Sequence, residues 1–496
     1  MHQQQTEQNE GTQSSGTHPT RAYPARSSNF SALQPSTSAD RVQVDDTSLT
    51  STATPGASAR RSRRVPSVAY IFAPFAALVH DHVPANPQRS SMVHCLIRAL
   101  QLLEHENIEV IPPSVASPDD LLQFHTRSYL DVISKCARGV AVSADTLARH
   151  GLEDDCPVFR GLAAHIRLAA GGSNTAARTP HPIAIHWDGG RHHARAGSAA
   201  GFCYVNDVAL CVQALLATHA RVLVLDVDIH HGDAMDSAFR EDTRVLPVSI
   251  HHASPGFYPG TGAVDEGVWD PTGEGPVAVN VPIGTGCGDK TYCAVVDAVV
   301  GPVMERFRPS AVVVVCGADA VYGDPKGAEI ARWTVTPAAI VHAVRAVRRE
   351  LARVAGEQGK LVILGGGGYD HANTARTWAN VTAVCLDGVV LPASVPDHTF
   401  AMQYAPLLDM AVDAPDPLEQ RRRDPYTDRG GQAWWRLARL IDVQVERVPD
   451  HRRASDGDER QWATDESYEQ VEQVVASQGE AHQRASSSTV QPGATQ

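Results

Sequence analysis

Cysteine pairs, long apolar runs and a surplus of basic charge are all missing from this sequence. The nine cysteines are scattered, with no CxxC pair. Their odd count and irregular spacing point to reduced, intracellular thiols rather than a disulfide framework. The longest apolar stretch, near Ser67–His80, is too short to cross a bilayer. The polar start, Met1-His-Gln-Gln-Gln-Thr-Glu, has no signal-peptide apolar core. The expectation is a soluble, intracellular protein with no membrane partner. Acidic residues outnumber basic ones, 56 to 43, for a net charge of −13. A phosphate binder needs a basic face, so no direct nucleic-acid partner is expected.

Hydrophobic residues make up 43% of the 496, enough for a large core, and length alone allows two or three domains. Composition narrows this to one block. Residues 1–65 are rich in Ser, Thr, Gln and Ala without periodicity and read as a disordered tail. They end close to "ARRSRR", Ala59 to Arg64, which fits a nuclear-import signal and a solvated basic patch equally well. From about Val448 the chain turns polar again, and 448–496 reads as a second tail. Residues 66–447 form the folded block, and no internal repeat is visible.

Four runs in that block are nearly continuous and apolar: "PIAIHW" (182–187), "RVLVLDVDI" (221–229), "SAVVVVCG" (310–317) and "KLVILGG" (360–366). Burial on both faces of a parallel sheet demands such runs. Helical patterns lie between or before them. "RSSMVHCLIRALQLLEH" carries Met92, Val93, Leu96, Ile97, Leu100 and Leu103 on one face. "TPAAIVHAVRAVRRELARVAG" offers Thr336 as N-cap, Pro337 at the first helical position and Gly356 beyond the end. The prediction is an α/β fold with a central, mainly parallel sheet flanked by helices.

Each of the four strands runs into a polar cluster: "DGGRHH" (Asp188 to His193), "DVDIHHGD" (Asp226 to Asp233), "GAD" with Asp319, and "GGGGY" with Tyr369. In open α/β sheets, ligands bind outside the carboxyl ends of the strands, so four strands deliver their groups to one edge. Asp226, Asp228 and His230 alternate and share a face if the strand persists. Paired carboxylates there repel unless a cation sits between them. With Asp319, the set Asp228, His230 and Asp319 offers one nitrogen and two oxygens and leaves a position open, the pattern of a catalytic zinc. "DxDxHH" alone is also compatible with a salt-bridged strand end. His192 and His193 need two orienting acids, and Asp226 and Asp233 are the unassigned ones; a carboxylate on Nδ1 fixes the tautomer and raises basicity. "GGGGY" lacks the Lys-Ser/Thr of a phosphate loop. Its glycines allow a bend that presents the Tyr369 phenol to a developing oxyanion, or else hold a core tyrosine.

In order, "SSMVHCLIRAL", "DDCPVF", "GGRHHARAGSAAGFCYVNDVAL", "LDVDIHHGDAMDSAF", "VSIHHASPGFYPGTG", "CGAD" followed by "GDP", "LGGGGYDHANTARTW" and "VPDHTF" resemble the zinc-dependent class I histone deacetylases, and within them the histone deacetylase 8 branch. The resemblance spans Val68 to Tyr404. It implies the arginase–deacetylase fold and hydrolysis of Nε-acetyl-lysine on histones or other proteins, in chromatin regulation and transcriptional repression. It places zinc on Asp228, His230 and Asp319, with Fe(II) as the alternative that such a donor set does not separate. It makes His193 the general base and also a candidate general acid, paired with Asp233. His192 is then its electrostatic neighbour, paired with Asp226, and Tyr369 polarises the acetyl carbonyl. Phe202 and Tyr258 resemble the walls that grip the lysine methylenes, with Gly201 beside the first. Asp155 resembles the rim acid that accepts from substrate amides, and Arg89 an arginine of an internal acetate channel. Structural potassium is implied near Asp226, Asp228, His230 and Ser249, and a second on main chain around Phe239, Asp242 and Val245. The implied partners are acetylated histone tails or other proteins and a corepressor complex. The implied location is the nucleus, alone or with the cytoplasm.

The sequence also departs from that pattern. Arg191 stands where an apolar residue is usual, Asp154 replaces a common tyrosine, and Lys326 to Trp333 is about four residues longer than expected. A mouth residue, usually Leu or Met, falls in this last segment. Asp154, Asp155 and Glu329 then put acid at the entrance, and Arg191 and Lys326 put positive charge near it. If the acids dominate, substrates with flanking Lys or Arg are favoured. Two rival readings share the sequence. One is an acetylpolyamine deacetylase, which an acidic gatekeeper marks. The other is a non-catalytic corepressor scaffold, which has no need of Tyr369.

Overall fold

The computed structural model describes residues 66–264, 266, 278–412, 414–426 and 432–451. Residues 1–65, with the basic run, and 452–496 lie outside the described residues. Eight strands, β1 (Val68–Ile71), β2 (Ile108–Ile111), β3 (Ile183–His186), β4 (Val222–Asp226), β5 (Val245–His252), β6 (Val279–Ile283), β7 (Ala311–Val315) and β8 (Lys360–Leu364), form one sheet in the order β2-β1-β3-β8-β7-β4-β5-β6. Every pairing is parallel.

Successive residues of a strand face opposite sides of its sheet, and both sides are buried here. Leu223, Leu225, Val312, Val314, Leu361 and Ile363 pack under the helices Arg89–Ala99, Asp289–Phe307, Pro337–Ala355 and His371–Cys385. Val222, Val224, Ala311, Val313, Val362 and Leu364 pack under Leu162–Arg178 and Asp207–Leu216. Burial on both faces accounts for the unbroken apolar runs of β4, β7 and β8.

The helix Pro337–Ala355 begins as its sequence predicts. The Thr336 hydroxyl accepts from the Ala338 N–H, Pro337 occupies the first turn, and Gly356 (φ +61°) ends it. The helix from Arg89 is shorter than its apolar face suggests. It stops at Ala99, because Gln101 turns left-handed (φ +58°) and a separate 3-10 turn covers Leu102–Glu104. At the far end Val448 is fully buried and the Arg306 guanidinium donates to its carbonyl, so packing continues past Arg447. All nine cysteines are free, and no helix among the described residues is long and apolar enough to cross a membrane.

Candidate metal and acid–base site

The four predicted strands are the four adjacent central ones, β3-β8-β7-β4. Their carboxyl ends therefore open side by side. β4 stops at Asp226, so the pleat does not align Asp226, Asp228 and His230. A ladder of turns does so instead. The Asp226 carboxylate accepts from the Asp228 N–H (3.0 Å), and that of Asp228 accepts from the His230 N–H (3.0 Å). The short polar side chain of Asp caps backbone two residues on, and the repeat aims each group the same way.

Asp228, His230 and Asp319 meet there, each buried, with one candidate ligand atom from each within 4.8 Å of the others. His230 Nδ1 lies 2.9 Å from Asp319 Oδ2 and 3.2 Å from Asp228 Oδ1. The other carboxylate oxygens are held by backbone: Asp228 Oδ2 by the Gly367 N–H at 2.7 Å, Asp319 Oδ1 by the Ile229 N–H at 3.0 Å. Two glycines make the approach possible. A Cβ on Gly317 would stand 2.2 Å from Asp228 Oδ2, and one on Gly367 2.2 Å from Asp319 Oδ2. Two buried carboxylates with oxygens turned to one imidazole nitrogen form a donor set that fits a divalent cation. Without one, burial and the Asp228 charge push Asp319 up to about 7.

The histidine pair takes the two orienting acids expected of it. His192 Nδ1 is 2.6 Å from Asp226, and His193 Nδ1 is 2.8 Å from Asp233. The rings lie 3.9 Å apart. Their environments separate them. Burial opposes charge on His192, yet Asp226 and Asp228 prevail and lift it to about 9. Burial, then the neighbouring His192 charge, lowers His193 to about 3. Burial first, then Asp319 and Asp228, hold the Tyr369 phenol well above its usual range.

Above these groups the site grows more exposed. Tyr369 meets Phe202 edge to face at 5.5 Å, and Tyr258 meets His193 at 5.0 Å. Tyr258 is 39% exposed, against 4% for His193. Phe202 holds a left-handed backbone (φ +64°) after Gly201 (φ +51°). A Cβ on Gly201 would press to 2.6 Å from His193 Cδ2 and 2.8 Å from the Tyr258 hydroxyl. Asp155 and Asp154 are exposed, Asp154 with φ +44°.

The remaining predicted residues are placed as follows. Arg89 is buried and donates from Nη1 to the carbonyls of Gly366 and Gly368 (both 3.0 Å) while lying 5.0 Å over Trp378. It therefore braces the glycine loop that leads to Tyr369. Ser249 stands beside Asp226 in the β4–β5 register. Phe239, Asp242 and Val245 share one turn, joined by Asp242 N–H to Phe239 O and Val245 N–H to Asp242 O. Arg191 is not an entrance residue. It is 5% exposed, and its charge falls on Asp207 and on the buried His80 and His165. Asp207 accepts from the Arg191 and Gly190 N–H groups, which turns the side chain inward.

Three residues escaped the sequence reading. Asp324, the acid of "GDP", accepts from the Tyr369 and Asp370 N–H groups on one oxygen and from Lys326 and Gly327 on the other. Phe257 stacks flat on His230 at 5.0 Å. Arg195 Nη2 donates to the second oxygen of Asp233 at 2.8 Å. Only the proline after Asp324 hinted at a rigid turn; nothing in the sequence pointed to the other two.

Residues 83–385 match the histone deacetylase domain. The chain belongs to the histone deacetylase family. Histone deacetylase 8 of Danio rerio is 37% identical over 74% of this chain and 93% of that protein. Histone deacetylase 8 of Xenopus tropicalis is 39% identical over 66% and 85%, and histone deacetylase B of Dictyostelium discoideum 35% over 66% and 75%. The all-parallel sheet is that of the arginase–deacetylase fold. As a histone deacetylase the chain is a metal-dependent lysine deacetylase, a hydrolase of the class I type.

Proposed function

We propose that the chain hydrolyses Nε-acetyl-lysine in histone tails or other proteins, with zinc on Asp228, His230 and Asp319 and Fe(II) as the alternative occupant. The observation that carries this reading is the pair of histidines, each bonded through Nδ1 to its own buried acid, beside one buried donor set. Such an ion, when bound, acts as a Lewis acid and makes water a nucleophile near neutral pH. His193, kept neutral by burial and by His192, offers Nε2 as the proton acceptor, because Asp233 occupies Nδ1. Its protonated form then returns a proton to the leaving lysine amine. His192 carries positive charge beside Asp226 and steadies negative charge built up on the acetyl carbon's oxygen. The Tyr369 phenol remains protonated and donates to that same oxygen. Phe202 and Tyr258 flank the lysine methylenes, with Gly201 leaving room between them. Asp155 accepts from substrate amides at the rim, and Arg89 lines the exit of acetate.

Potassium is assigned to Asp226, Asp228, His230 and Ser249, and a second ion to the main chain of Phe239, Asp242 and Val245. The four arginines of 59–64 support nuclear import, and with it a role in chromatin regulation and repression within a corepressor complex. Competition between an acetylated histone peptide and acetylspermidine in one assay tests the substrate class. Preferential turnover of the peptide is expected. Preferential turnover of acetylspermidine would move the polyamine reading ahead, and turnover of neither would leave a scaffold.

A further inference from the structure

The entrance charges seen in the sequence do not all reach the entrance. Arg191 is buried. Glu329 lines a separate cavity of about 560 Å³ with Arg332, Arg423, Tyr322 and Trp333. Lys326 alone of these is set against the site. Its ammonium lies 6.0 Å from the centre of the Phe202 ring, a distance at which a ring face attracts a cation. The same Phe202 ring touches Tyr369. From outside inward the order is therefore Lys326, Phe202, Tyr369.

This placement is held by backbone. Asp324 takes the N–H groups of Lys326 (2.9 Å) and Gly327 (3.1 Å) on one oxygen, and those of Tyr369 and Asp370 on the other. One buried carboxylate thus fixes the start of the inserted segment relative to the phenol. Lys326 itself is exposed, and its ammonium pairs with no carboxylate among the described residues. On the other wall, the charges of Asp233 and Asp155 add to burial in raising the Tyr258 phenol. The cation therefore stands on the Phe202 side of the mouth.

We propose that Lys326 is a specificity-determining residue of the mouth: it favours acyl-lysine peptides with an acidic residue beside the modified lysine and rejects small polyammonium substrates. The inference rests on the deacetylase reading and deepens it. A substrate lysine that runs along Phe202 brings its flanking side chains, or the free amines of an acetylpolyamine, close to the Lys326 ammonium. No carboxylate pairs with that ammonium among the described residues, so on the Phe202 side like charge is repelled and opposite charge drawn in. The effect is modest and salt-dependent, because the site is open to water.

The test compares acetyl-lysine peptides with neutral, acidic and basic neighbours, and N-acetylspermidine, on the full chain and on Lys326→Met, Lys326→Glu and Lys326→Arg. Both kcat/KM and peptide binding by fluorescence anisotropy are read, at low and high salt. The native chain should prefer the acidic over the basic peptide by about 3- to 10-fold at low salt. Lys326→Arg should keep that order, Lys326→Met should flatten it, and Lys326→Glu should reverse it and raise turnover of acetylspermidine. An order that stays the same in all four proteins, or a native preference for the basic peptide, overturns the proposal. Failure to hydrolyse the neutral peptide counts against the deacetylase reading instead, and the anisotropy series still reports the charge order.

Discussion

The floor of the site and its mouth are built by opposite rules. On the floor, Asp226, Asp228, His192, His193, His230 and Asp319 are all at most 8% exposed, and a backbone N–H or a second side chain holds each one. The glycines beside them are fixed by contact, since a Cβ on Gly317 or Gly367 would run into a carboxylate. At the mouth, Asp154, Asp155, Tyr258 and Lys326 sit on loops and face water, and the Lys326 ammonium meets the Phe202 ring rather than a carboxylate among the described residues. Substitutions on the floor should therefore abolish the reaction, whereas those at the mouth should redistribute it among substrates.

The largest break in that contrast is expected from Asp319→Ala. It leaves His230 and Asp228 as the only donors, so bound metal, measured by elemental analysis, and turnover should both disappear. The loss should exceed the ~10²-fold that follows removal of an outer partner of a metal ligand. Full turnover with metal absent would reject the ligand assignment. Next is Tyr369→Phe, which removes one oxyanion donor. It should lower kcat by about 10²–10³-fold while KM and metal content hold; normal turnover would make the phenol a packing group.

At the mouth, Asp155→Ala should cost about 10-fold or more in kcat/KM on peptides, since charge-assisted hydrogen bonds are worth roughly 1.5–3 kcal/mol, and much less on acetylspermidine. Equal losses on both would remove its role in positioning peptides. The smallest effect concerns a brace beneath the mouth. His125 Nδ1 lies 3.2 Å from the Ala196 carbonyl and its Nε2 accepts from the Asn206 N–H at 2.9 Å, clamping both ends of the loop that carries Phe202. That geometry requires a neutral ring, and burial lowers its pKa to about 4. Between pH 6.5 and 4 the unfolded chain binds the proton that the folded one refuses, so acidification destabilises the fold, by on the order of 2 kcal/mol at pH 5. Urea midpoints at pH 7 and 5 should show a smaller difference in His125→Gln than in the native chain. An unchanged slope would show that the ring does not titrate as its bonds imply.

The same contrast explains what the sequence disclosed. β4, β7 and β8 are buried on both sides, so their runs are continuous and their ends unmistakable, and β3 lies between β1 and β8. The outer strands hide. β2 exposes Glu109 and Val110, β5 interrupts its run with Pro247 and ends in His251-His252, and β6 carries Asn280 and Pro282. The metal set was legible because its members cluster at strand ends, although turns rather than pleat align them. Arg191 was misplaced because direction is decided by backbone. Asp207, sixteen residues later, takes its N–H and turns it inward. Asp324 and Phe257 act through contacts with distant segments, which spacing along the chain does not encode.

The most direct test of the central claim is acetate release from an acetyl-lysine peptide by the purified chain, before chelation, after it, and after stoichiometric zinc or Fe(II) is restored. The account predicts that activity vanishes with the metal and returns at about one ion per chain in the native protein but not in Asp319→Ala. Acetate release that persists in the fully metal-free chain would contradict it.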